Sequence, residues 1–398
     1  MRLFGRSARR APLIASQGVG RRGRAATGRL GGGRVRIDRS ECEPVELLIG
    51  SLQPNTRYYY QFRSRTPGAA SYGNSAEYTF HTARSPGSTF TFTVQADPHL
   101  DFGVDTEAYA KSLANALASK TDFHIDLGDT FMSEKHTNRA NAAQQYIDQR
   151  GYFDLLGAPV HLVIGNHDGE SGRYLDGTTS NLAVWSRAMR MKYFPEPLAP
   201  DGRGYYAWET NNVLCVALDP FWYSPRVRRG DDNWVFTLGK EQYDWLKRTL
   251  ETSKAKFKFV FLHHLVGGDS REGRGGSEAS HFFEWGGKDI DGKNSFAQKR
   301  PGWEAPIHDL LAKRGRVIVF HGHDHFYVRD ERGGVIYQEV PQPGHPRGNT
   351  RSAGYQNGVM LPSSGILRVR VSPQQAEVEY VKADAAATVA HRYAVSAQ

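Results

Sequence analysis

The sequence predicts an α/β protein: an α/β domain over residues 88–384 behind a short β segment over 37–84, with tails at 1–36 and 385–398. Two observations carry this. Short apolar runs alternate with stretches of helical spacing from Thr89 onward, and a polar cluster sits directly at the end of run after run. The chain has 398 residues, 39% of them hydrophobic and 23% charged, enough for two or three domains with a buried core. No stretch approaches the roughly 18 uninterrupted apolar residues of a membrane-spanning helix. Two cysteines, Cys42 and Cys215, exclude a disulfide scaffold and a thiolate zinc module.

The net charge of +9 is local. Residues 1–36 hold ten arginines and eight glycines with no lysine and no acid, so the remaining 362 positions sit near neutrality, at −1. The globular body therefore offers no electrostatic case for nucleic acid, and only the basic tail keeps that partner in view. With so few large apolar side chains the tail is expected to be disordered. The stretch Ala11–Gly20 is too polar and glycine-rich for a good signal-peptide core, and Arg9-Arg10 is a faint twin-arginine echo. A third reading has translation starting downstream, so that these residues are not native sequence.

From Glu46 to Thr82 the pattern has period two: Leu47–Ile49, then Tyr58, Tyr60 and Phe62, then Tyr78 and Phe80 after a Gly/Ser/Asn turn. The string LQPNTRYYYQFR resembles the end of a fibronectin type III domain. That resemblance implies a corner tyrosine at Tyr58, its hydroxyl returning to the backbone ahead of the strand. About three strands are present, a partial fibronectin III-like domain.

Beyond Ser85-Pro86-Gly87, strands are expected at Thr89–Gln95, Phe123–Leu127, Val160–Ile164, Val213–Leu218, Phe257–Leu262 and Arg316–Phe320. Tyr109, Leu113 and Leu117 recur at i, i+4, i+8, and Tyr243, Leu246 and Leu250 at i, i+3, i+7; each set is expected to form a buried helical stripe. GGVIYQEV, GILRVRV and AEVEYVK read as a closing C-terminal sheet.

Chemistry gathers where strands end. Asp97-Pro98-His99, Gly128-Asp129, Gly165-Asn166-His167-Asp168, His263-His264 and Gly322-His323-Asp324-His325 each follow an apolar run. Alone, each has an ordinary reading as a turn or a hydrogen-bonded histidine. Together they supply carboxylate, imidazole and amide oxygen, the donor set that holds two divalent or trivalent metals, and strand ends can bring them to one crevice.

Those five motifs, in this order, resemble the calcineurin-like metallophosphoesterases, whose pattern is DxH, GDx, GNH(D/E), a strand-end His and GHxH. The resemblance covers Phe90–Val381, and GYYAWETNNVLCVALD with EQYDWLKRTL is similar to purple acid phosphatases and their bacterial relatives, which carry a fibronectin-like domain ahead of the catalytic one. It implies a two-sheet αββα sandwich, a phosphate mono- or diester substrate and an extracytoplasmic location. Carried over residue by residue, it implies that Asp97, His99 and His325 hold one metal, that Asn166, His263 and His323 hold the other, and that Asp129 bridges them. Of the adjacent histidines His263 matches the family position, with His264 as the alternative.

The resemblance also implies in-line attack by a metal-bridging hydroxide. His167 would contact the phosphate and protonate the leaving oxygen, with Asp168 orienting its imidazole. The purple acid phosphatase GDxxY tyrosine is replaced here by Met132, and DxG has become Asp97-Pro98-His99, so Mn, Zn or ferrous Fe is expected and the purple colour is not. The glycine-rich stretch Leu265–Trp303 is expected as a lid or a solvated insert, with Arg271, Arg274 and Lys288 as candidate phosphate or substrate contacts. The competing readings are a non-catalytic protein on the same fold, or a nucleic-acid-binding one acting through the arginine tail.

Overall fold

The structure, a computed structural model of the chain, describes residues 2–4, 26–29, 44, 46–65, 68–100, 102–225, 232–268, 274–347 and 354–397. The chain divides into two units, Met1–Ser85 and Pro86–Gln398.

In the first unit, β1 (Arg2–Phe4) and β2 (Ala26–Arg29) flank β3 (Glu46–Gly50), antiparallel and parallel respectively. The disorder expected of residues 1–36 therefore gives way to strands at these two places, and its remainder lies outside the described residues. A separate antiparallel hairpin joins β4 (Arg57–Ser64) to β5 (Gly73–His81). Along β4, half-buried Tyr58, Tyr60 and Phe62 alternate with exposed residues, and Tyr58 stacks on Phe80 at 5.5 Å and Tyr60 on Tyr78 at 5.4 Å. The Tyr58 hydroxyl accepts from the Gln53 backbone N–H at 2.7 Å, the contact expected of a corner tyrosine. Among the described residues this unit shows a three-stranded sheet and a hairpin, which do not establish the two facing sheets of a fibronectin sandwich.

The second unit contains two mixed sheets. One comprises β6 (Phe90–Gln95), β7 (Phe123–Asp126), β8 (Val160–Leu162), β16 (Gly365–Val371), β17 (Gln375–Lys382) and β18 (Val389–Ser396) in the order β18-β17-β16-β6-β7-β8. The other comprises β9 (Tyr206–Thr210), β10 (Val213–Ala217), β11 (Phe257–Phe261), β12 (Val317–His321), β13 (Tyr327–Arg332), β14 (Val335–Glu339) and β15 (Val359–Leu361). Its order is β15-β13-β14-β12-β11-β10-β9.

The sheets pack face to face through an aromatic core. Phe92 of one lies 5.6, 6.1 and 6.3 Å from Phe259, Phe261 and Phe320 of the other. Helices α1 (Thr106–Ala118), α2 (Arg139–Phe153) and α3 (Leu182–Tyr193) cover the outside of the first sheet. The second is covered by α4 (Gly239–Thr252), α5 (Phe283–Gly286) and α7 (Ile307–Ala312), with α6 (Phe296–Lys299) nearby. The layering is αββα.

Tyr243, Leu246 and Leu250 are buried as their spacing predicts. Leu117 is not: it is 51% exposed, and Ser112 and Ala116 take the inner positions beside Tyr109 and Leu113. An i+8 residue has rotated about 80° away from the stripe's origin, and α1 ends one residue later. Residues 385–398, expected as a tail, carry β18, which pairs antiparallel with β17. Its half-exposed alternation marks an edge strand with a single packed neighbour.

The stretch 265–303 is neither a bare lid nor a solvated loop where it is described. Trp285 is fully buried and donates to the Tyr337 hydroxyl at 2.9 Å, while Phe283 and Phe296 pack around Trp234. Buried Glu284 pairs with Arg300 and accepts from the Leu238 N–H at 2.8 Å.

Candidate metal centre

Strands β6, β7 and β8 run parallel, as do β10, β11, β12 and β14. The five polar loops leave the carboxyl ends of β6, β7, β8, β11 and β12 and are stitched together there. The Asp97 N–H donates to Gly128 O at 3.0 Å, Gly322 N–H to His263 O at 2.9 Å, His323 N–H to Asp97 Oδ2 at 2.8 Å, and His167 N–H to Asp129 Oδ1 at 2.7 Å. Asp97, His99, Asp129, His323 and His325 all have left-handed backbone, with φ between 48° and 81°. L-residues avoid this region unless surrounding structure enforces it, and functional sites are where such strain collects.

The glycines of two motifs have a steric reason. A Cβ on Gly128 would stand 2.3 Å from the Gly165 nitrogen, and one on Gly165 would stand 2.0 Å from the Asp129 nitrogen. Gly165→Ala should therefore force the two loops apart and, because they carry Asp129 and Asn166, lower metal affinity by about 10-fold or more. Metal titration checks this.

The side chains form two triads whose ligand atoms lie within 4.8 Å of one another: Asp97, His99 and His325, and Asp129, His263 and His323. Asp129 stands between them, its Oδ2 3.4 Å from Nε2 of both His99 and His263. His263 Nδ1 faces the Leu127 carbonyl at 3.0 Å, leaving Nε2 toward Asn166 Oδ1 at 2.9 Å and His323 Nδ1 at 3.2 Å. Asp97 Oδ1 and His99 Nε2 are buried without a hydrogen-bond partner, 3.5 Å apart. Converging lone pairs of this kind are neutralised by protons or by cations, and nitrogen and oxygen ligands without thiolate fit two divalent metals. His264 belongs to neither triad: its ring lies 5.1 Å from that of His323, but it is edge-on to Phe221 at 4.9 Å and Phe236 at 5.6 Å, its Nδ1 faces Leu265 O at 2.8 Å, and burial lowers its pKa to about 4.

His167 faces the same centre, its Nε2 3.9 Å from Asp129 Oδ2. The carboxylate on its Nδ1 is Glu134, and this corrects the expected role of Asp168. Asp168 is buried beneath the loops and accepts from the N–H groups of Gly165 at 2.7 Å, Phe131 at 2.8 Å and Asp129 at 3.1 Å. Its nearness in sequence to His167 is misleading, because consecutive side chains diverge in this loop. Glu134 also receives Arg173 and the Tyr174 hydroxyl; burial opposes its charge, but His167, Tyr174 and Arg173 outweigh that and hold its pKa down to about 2. No periodicity marks Glu134 in the sequence.

Of the expected substrate contacts, Arg271 lies outside the described residues. Arg274 reaches the ligand loop, donating to His323 O at 3.0 Å and Asp324 Oδ1 at 2.5 Å. Lys288 does not reach it: this exposed residue neighbours His281. Arg332, also beside His281, pairs with Val335 at the end of the sheet opposite the ligand loops. The packed course of the insert carries Lys288 away.

Residues 90–327, more than half of the chain, match the model of the calcineurin-like phosphoesterases. The chain belongs to that family. Probable purple acid phosphatase 20 of Arabidopsis thaliana is 26% identical over 301 residues, 74% of this chain and 56% of the plant protein, so the chain spans little more than half of that relative. Among solved structures, purple acid phosphatase PPD1 of yellow lupin (Lupinus luteus) aligns with a TM-score of 0.61 at 16% identity, over 89% of this chain and 61% of its own. PhoD aligns with 0.58 at 15% identity, over 89% and 76%. At these identities the structures establish the fold. The family and its purple acid phosphatase relatives imply a dinuclear metal centre, and the two triads are the candidate ligands for it.

Protons and metals compete for these ligands. Burial opposes charge on His99, but the adjacent Asp129 and Asp97 carboxylates raise its pKa to about 10; in His263 the same carboxylates overcome burial and raise it to about 9. Both rings thus hold protons at pH 8 in the metal-free protein and must release them to bind a cation. Apparent metal affinity should rise with pH and level off above about pH 10. Titrating metal-free protein with Mn(II) at pH 8 in a pH-stat should release roughly two protons per chain; no release would contradict the placement of these histidines.

Proposed function

We propose that the protein hydrolyses phosphate mono- or diesters at a two-metal centre. Asp97, His99 and His325 would hold one ion, Asn166, His263 and His323 the other, with Asp129 shared. The observation that carries this reading is the Asp129 carboxylate, equidistant at 3.4 Å from one histidine of each triad. When bound, the ions would supply an activated water at neutral pH and neutralise phosphoryl oxygens.

The chain's own residues do the rest. The stitched, left-handed loops fix the ligands before substrate arrives, which avoids reorganisation during reaction. His167 is placed to touch a phosphoryl or leaving oxygen, and Glu134 holds its Nδ1–H so that Nε2 is the working nitrogen. Asp168 clamps the Gly128 and Gly165 loops through three backbone N–H groups. Arg274, tied to the His323 loop, adds positive charge near the second triad. With Met132 in place of tyrosine, the loaded protein is proposed to be colourless and to use Mn, Zn or ferrous Fe. Among the described residues no helix is long and apolar enough to cross a membrane.

A screen of alkyl and aryl mono- and diesters, run with and without chelator, tests the reading. Chelator-sensitive hydrolysis supports it, and hydrolysis that survives complete metal removal contradicts it.

A further inference from the structure

We propose that His345 is a further substrate-binding residue, its imidazole donating a hydrogen bond to a phosphoryl or ester oxygen over the Asp97, His99 and His325 half of the centre. This rests on the phosphoesterase reading above. His345 belongs to none of the five motifs; it lies in the stretch PQPGHPR that follows β14.

That stretch is pinned through its backbone. Gln342 O accepts from Gly365 N–H at 3.3 Å, Pro343 O from Ser112 Oγ at 2.7 Å, Gly344 O from Asp105 N–H at 2.7 Å, and His345 O from Ser364 Oγ at 3.1 Å. Gly344 packs so closely on the start of α1 that a Cβ there would stand 2.6 Å from Asp105 O. These anchors hold the half-buried His345 ring 6.3 Å from that of His325, which is 4.6 Å from His99, which is 6.1 Å from His167. The four rings follow one another across the centre, with His167 at one end and His345 at the other.

His345 Nδ1 accepts from the Arg347 N–H at 3.2 Å, so the ring's own hydrogen sits on Nε2. The nitrogen available to a partner is therefore a donor, which suits an anionic oxygen and not a metal. His345 accordingly lies outside both ligand triads. An ester oxygen that extends past His325, the ring 6.3 Å from His345, would meet this N–H.

The test compares wild type, His345→Ala and His345→Gln, each loaded with Mn(II). The measurements are metal analysis, calorimetric titration with inorganic phosphate, and kinetics on 4-nitrophenyl phosphate and bis(4-nitrophenyl) phosphate. His345→Ala should keep its metals, weaken phosphate binding and raise KM by about 10-fold or more, with a smaller change in kcat, as removal of a hydrogen bond to a charged group does. His345→Gln should recover part of the loss, since its amide N–H can still donate. Unchanged phosphate affinity and KM in His345→Ala, or loss of metal in that variant, would overturn the proposal. A wild type that binds neither metal nor phosphate would instead refute the phosphoesterase reading.

Discussion

Asp129→Asn is expected to abolish hydrolysis of every phosphate ester, a fall of about 10³-fold or more, and to lower metal content. Two cations held side by side repel each other, and the shared carboxylate offsets that repulsion; its loss is worth several kcal/mol, each ~1.4 kcal/mol being tenfold in rate. The substitution is close to isosteric. The amide oxygen it introduces can still accept from the His167 N–H, which Asp129 does at 2.7 Å, so the loop geometry should persist while the charge is gone. In the metal-free variant His99 and His263 also lose their nearest common anion, and their raised pKa values should fall. Elemental analysis and turnover together read the outcome; two retained metals with wild-type turnover would remove Asp129 from the centre.

His167→Ala should lower turnover by ~10² to 10⁴ with metal content intact, because His167 is assigned to the phosphate and leaving group, not to an ion. The loss should shrink for 4-nitrophenyl esters, whose leaving group needs little protonation, and remain large for alkyl esters. Equal losses on both would leave His167 with electrostatic stabilisation alone, and a parallel fall in metal content would make it a ligand. Glu134→Gln should reproduce part of the effect, since the carboxylate fixes the tautomer and orientation of His167. Asp168→Asn should act differently, loosening the loops and lowering thermal stability, because its oxygens bind backbone and not imidazole.

The contrast between Asp168 and Glu134 shows what can be read from the sequence. Strands over Phe90–Gln95, Phe257–Phe261 and Val317–His321 are legible because apolar β-rich runs have few other uses, and their polar ends fall together because parallel strands deliver their carboxyl ends to one edge. Asp97, His99, Asp129, His263, His323 and His325 thus meet across more than 220 residues of sequence, as their motifs imply. Glu134 and His345 are not legible, since each lies in a loop without periodicity and acts only through contacts made by the fold. Lys288 is misplaced by its sequence context for the converse reason: glycine content suggests a free lid, whereas Phe283, Trp285 and Phe296 bury the insert against the sheet's helical layer. β18 escapes a reading by pattern because an edge strand with alternating exposure carries little apolar signal.

The most direct test of the central claim is metal stoichiometry measured against activity. Metal-free protein titrated with Mn(II) or Zn(II) should bind two ions per chain, with phosphate-ester hydrolysis reaching its plateau only as the second site fills. Full hydrolysis with one ion bound, or with none, would contradict a shared two-metal centre built on Asp129.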